Sequence, residues 1–71
     1  MKSILVHRIE NDKVTYFRES NMVDAIAKVK EKAGDLRYAE GRFGDDHFII
    51  IYRDPYGLGE AVTFMGIMDE F

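Results

Sequence analysis

The stretch His47-Phe48-Ile49-Ile50-Ile51-Tyr52-Arg53 constrains this chain more than any other, because its five middle residues are apolar without alternation and three of them are isoleucine. β-branched side chains are stiff about χ1 and fit a pleated surface better than a helix. Asp54-Pro55 closes the run. The pattern predicts a central strand buried on both faces, and it is far too short for the ~20 residues of a membrane-crossing helix.

A buried strand needs neighbours, and 71 residues supply few of them. A domain of this size buries only ~60% of the surface its unfolded chain exposes, so its stability is marginal. The chain has no cysteine, which excludes disulfides, thiolate metal sites and a cysteine nucleophile together. Self-association then becomes the natural additional source of stability. At the amino terminus a single lysine precedes only three consecutive apolar residues, Ile4-Leu5-Val6, well short of the ~7 to 15 of a signal peptide. The expectation is a single domain over residues 1–71, cytoplasmic, with no membrane association.

The hydrophobic periodicity predicts the order ββαβββ. Ser3 to Ile9 and Val14 to Arg18 read as a hairpin around Glu10-Asn11-Asp12-Lys13, with Asn and Asp favouring the turn but without the tight Asn-Gly signature. Ser20 or Asn21 supplies the side-chain oxygen that starts a helix over 22–33, and with Asn21 as the cap Asp24 three residues later makes a capping-box-like arrangement. Met22, Ile26, Val29 and Ala33 form its apolar stripe, widened by Val23 and Ala25, and Gly34 ends it. Lys28, Lys30 and Lys32 read as a solvated, salt-bridged helix face. Leu36 to Phe43 reads as a strand with Gly41 at a bulge or a close approach, or over 35–40 as a loop or irregular helix turn. Asp54-Pro55-Tyr56-Gly57 fits a type I turn. Glu60 to Met68 forms the last strand, and Asp69-Glu70-Phe71 a frayed tail. The expected fold is α+β, an antiparallel sheet of about five strands with one helix packed on a face.

One helix covers one face of such a sheet, and the other face should then be polar at every second position. It is not. Phe48, Ile50 and Tyr52 oppose Ile49 and Ile51; Val62, Phe64 and Met68 oppose Ala61, Met65 and Ile67; Ile4 and Val6 oppose Leu5 and Ile9. Surplus apolar surface of this kind marks an interaction face. Ile49, Ile51, Met65 and Ile67 are therefore the candidate face for a second copy of the chain, giving a homodimer as the first expectation, or for another protein, the remaining alternative being a sheet curved strongly enough to fold the face upon itself. Arg53, Asp54, Tyr56 and Leu58, around the turn after the central strand, are candidate binding residues, since Tyr and Arg are enriched at interface hot spots.

Chemistry is thinly supported. His7 and His47 are the two histidines, and Asp45-Asp46 precede the second. A metal site would need them to converge, and an acid–base site centred on His47 and Asp46 would need a pocket. Neither His-x-His nor His-x-x-x-His occurs, and Gly57-Leu58-Gly59 lacks the Lys-Ser/Thr and following helix of a phosphate loop. No cofactor, metal ligand or catalytic residue is assigned. Tyr16 with Arg18, Tyr38 with Arg42 and Tyr52 with Arg53 outline a base-stacking sheet surface.

Charge bears on the partner. Residues 1–34 carry seven Lys or Arg against five Asp or Glu, and residues 35–71 carry three against eight. If the late turns and carboxy terminus gather at one end, that end is acidic, disfavouring nucleic acid and favouring a basic protein surface. The reading is thus a small non-enzymatic protein-binding module. Phages and mobile elements encode inhibitors of this type, which occupy a surface of a host protein.

Overall fold

The computed structural model describes residues 2–34, 38–53 and 61–70, excluding the side chains of Tyr38 and Glu70. Five strands and one helix follow in the order β1 (Lys2–Glu10), β2 (Lys13–Glu19), α1 (Met22–Ala33), β3 (Tyr38–Phe43), β4 (His47–Arg53) and β5 (Val62–Glu70). All pairings are antiparallel and the sheet order is β2-β1-β5-β4-β3. The α+β architecture expected from the sequence is present.

Local chemistry sets the element ends. Asn21 Oδ1 accepts a hydrogen bond from the Asp24 N–H at 2.9 Å, and Asn21 Nδ2 donates to Asp24 Oδ2 at 2.9 Å. Both bonds secure the first helical turn, whose N–H groups have no partner within the helix. At the other end Gly34 takes φ 63, and its N–H returns to the Glu31 carbonyl. Between them Ala25, Val29 and Ala33 are buried, with Met22 and Ile26 packed at the margin. Val23 does not join the stripe: it is 77% exposed. On the wheel it stands well over 90° from the Ala25–Val29 line. Lys32 lies with Nζ 5.2 Å from the Phe17 ring centroid, over an aromatic face.

The core lies between α1 and one face of the sheet. Ile4 and Val6 from β1, Phe48, Ile50 and Tyr52 from β4, and Val62 and Phe64 from β5 all project to that face and are buried. Cross-strand register explains the selection, since Ile50 stands opposite Phe64 and Tyr52 opposite Val62. The Tyr52 and Phe64 rings meet edge-on at 5.9 Å between centroids and 90° between planes.

Several expectations are corrected. The His47–Arg53 run is not buried on both faces, because Ile49 and Ile51 are only half-buried. The middle strand of the sheet is β5, not β4. Gly41 forms no bulge: Glu40↔Ile51, Gly41↔Ile50 and Arg42↔Ile49 run in unbroken register. The first hairpin is tighter than its spacing suggests, since Glu10 pairs with Lys13 and leaves a two-residue turn with Asn11 at φ 55. Asp69 and Glu70 are strand residues rather than tail, paired with Ser3 and Lys2. Arg18 explains part of this, for its Nη1 donates to Ser3 Oγ and Asp69 Oδ2, each at 3.0 Å, tying β2, β1 and β5 together. Residues 35–37 and the turn at 54–57 lie outside the described residues.

Candidate binding face

The register that buries one set of side chains under α1 sends the alternate set to the opposite face. One row across all five strands reads Tyr16, His7, Met65, Ile49, Arg42; the next reads Val14, Ile9, Thr63, Ile51, Glu40. A third places Arg18, Leu5, Ile67 and His47 side by side. The centre of this face is apolar, its polar side chains lie mainly at the margins, and no element among the described residues covers it. Met65 is 40% and Ile67 51% exposed, high values for such side chains in the middle of a sheet.

Ile49, Ile51, Met65 and Ile67 are therefore brought together, as their sequence pattern required, with Ile49 directly opposite Met65. Leu5 and Ile9 extend the same surface on β1. Of the candidate loop residues, Arg53 is exposed at the end of β4, while Asp54, Tyr56 and Leu58 fall outside the described residues.

Near the centre of the face is a hollow of about 330 Å³ lined by His7, His47, Ile49, Met65 and Ile67, with Phe48 and Gly66 beneath. The two histidines belong to this surface, a role their isolated positions in the sequence did not suggest. The parity 5-7-9, 47-49-51 and 65-67 could have signalled it, but only with the strand neighbours known. Tyr16 stands edge-on to His7, 4.8 Å between ring centroids and 68° between planes.

His47 sits at the rim and its Nδ1 lies 2.9 Å from Asp46 Oδ1. The hydrogen bond to His47 holds the Asp46 carboxyl below its ordinary value of 3.8, against an opposing desolvation and helped by the attraction of the imidazole's charge. This geometry orients the imidazole and leaves Nε2 directed elsewhere. Among the described residues no three His, Asp or Glu side chains converge as a metal site would require. Apart from the two histidines the hollow is lined by apolar residues and Gly66.

The Asp46 carbonyl accepts from the Met68 N–H at 2.7 Å, bringing the β3–β4 turn beside the end of β5. Asp45, Asp46 and Asp69 thereby gather at one end of the sheet, where β2 also ends with Glu19. The base-stacking outline does not assemble on one surface, because Tyr52 points into the core under the helix whereas Tyr16 is on the open face. Among the described residues no helix is long and apolar enough to cross a membrane. No family model, curated protein or solved structure matches this chain.

Proposed function

We propose that the chain is a non-enzymatic protein-binding module that seats the open face of its sheet on another protein. The observation that carries this reading is the uncovered surface of Leu5, Ile9, Ile49, Ile51, Met65 and Ile67, all on the face opposite the helix. Apolar area left in water forgoes ~25 cal/mol for each Å² that a partner would bury. The hollow at its centre has the size and lining to receive one aromatic or branched side chain, the usual anchor of an interface hot spot. The acidic end favours a partner with a basic surface beside that anchor. Inhibition by occupancy, in the cytoplasm and of the type phages and mobile elements use against host proteins, is the setting that suits such a module.

A second reading rests on the His47–Asp46 pair at the rim of the hollow, an oriented imidazole that could act as a base. Its weakness is the lack of a second polar group in the hollow beyond His7.

The experiment is affinity capture from the native host with the wild-type chain, Ile67→Lys and His47→Gln. The module reading expects one protein captured at stoichiometric level by wild type and His47→Gln, and lost with Ile67→Lys while the thermal midpoint stays put. Capture insensitive to Ile67→Lys and Met65→Lys would refute it.

A further inference from the structure

Strand β2 forms one border of the sheet. In an antiparallel ladder alternate residues of a border strand turn their N–H and C=O away from the neighbour, a template for another strand. Proteins usually blunt such a border with Pro, a bulge, a very short strand or charged side chains, and of these β2 carries only the charges of Lys13, Arg18 and Glu19. β2 has no Pro, Gly or bulge: its seven residues run in unbroken register from Ile4↔Glu19 to Glu10↔Lys13. Val14 and Tyr16 are 47% and 62% exposed along it. The other border strand, β3, carries Gly41 in its middle.

The sequence of this border is complementary to itself. In Lys13-Val14-Thr15-Tyr16-Phe17-Arg18-Glu19 a cation and an anion stand at equal distances on either side of Tyr16. Antiparallel pairing with a second copy about a two-fold axis at Tyr16 places each Lys13 opposite the partner's Glu19. It places Thr15 opposite the partner's Phe17 and the two Tyr16 residues opposite each other. Sliding the register by two residues loses the charge match, since Lys13 would then meet the partner's Phe17 or Asn21. Backbone parity agrees. Counted from the two-residue turn closed by Glu10 and Lys13, Val14, Tyr16 and Arg18 direct their N–H and C=O outward, and this register sets them against the same three residues of the partner.

We propose that the chain forms a two-fold dimer by antiparallel pairing of β2 with β2 of a second copy, centred on Tyr16 and joining the two five-stranded sheets edge to edge. The open faces then lie side by side and remain available, so this proposal stands independently of the binding reading above. Cross-strand opposite charges stabilise such a seam and like charges oppose it.

Sedimentation equilibrium at micromolar concentration tests it. Wild type should approach twice the monomer mass. Lys13→Glu and Glu19→Lys should each raise the dimer dissociation constant about tenfold or more, because either change sets like charges together twice at the seam. An equimolar mixture of the two variants, or the double reversal in one chain, should restore dimerisation. Because the chain has no cysteine, Tyr16→Cys gives an independent reading: opposed residues in such a pair stand ~5.5 Å apart at Cα, within disulfide range. Oxidation should cross-link Tyr16→Cys and not Val14→Cys. A wild type that stays monomeric throughout, failure of the mixture to recover, or equal cross-linking at both positions would overturn the proposal. So would a dimer untouched by the reversals but dissociated by Ile67→Lys, which would place the second copy on the open face.

Discussion

A Cβ placed on Gly66 would collide with Cε1 of Phe48, the residue directly across the strand pair. The Phe48 ring occupies the space a side chain at 66 would claim, and at 1% exposure it has nowhere to retreat. Overpacking a filled core typically costs ~1 to 3 kcal/mol. Gly66→Ala should lower stability by at least about that much, measured by denaturant unfolding. Phe48→Leu in the same chain should recover part of the loss, and if the double variant were less stable than Gly66→Ala alone, the contact would not be the cause.

The two faces of β4 and β5 predict opposite responses to substitution. Ile50 is buried in the core at 4% exposure, and Ile50→Ala should cost on the order of 2 to 5 kcal/mol through the cavity it leaves. Ile67 is on the open face, and Ile67→Lys should change stability by no more than about 0.5 kcal/mol. Similar losses at both positions would mean that the open face is covered by the folded chain itself.

The Asn21 cap gives a local test of helix α1. Asn21→Ala removes the acceptor for the Asp24 N–H and the bond from its amide to the Asp24 carboxylate, a loss of typically ~1 kcal/mol. Asn21→Ser should be milder, since its hydroxyl can still accept. Equal midpoints for wild type and Asn21→Ala in thermal melts would show that α1 is held by packing alone.

Elements carried by local chemistry were legible in the sequence. The helix bounds Met22 and Ala33 followed from Asn21 and Gly34, and the strands from their β-branched runs. What was not legible is non-local. The placement of β5 between β1 and β4 depends on which strands meet across the whole chain, and no residue pattern within a strand encodes its neighbour. That placement alone turns Ile49, Met65, His7 and Tyr16 into one row. Asp69 was misread for the same reason, because the Arg18 that holds it is fifty-one positions away. The hollow was equally hidden, as it exists only once His7 and His47 stand on either side of β5.

Tyr52 makes the fold sensitive to alkali. Its side chain lies in the core beside Phe64, and burial pushes its hydroxyl above the ordinary value of 10.0 because the phenolate is poorly solvated there. Above the unfolded-state value the unfolded chain releases this proton while the folded chain keeps it, so the folded state binds more protons and stability falls as pH rises. The contribution is fully present below pH 10.0 and is lost as pH climbs through the folded-state value. Tyr52→Phe retains the ring contact with Phe64 and removes the titrating proton. Thermal midpoints followed from about pH 9 to about pH 11 should therefore decline more steeply for wild type than for Tyr52→Phe. Parallel declines would remove Tyr52 as the source of the alkaline loss.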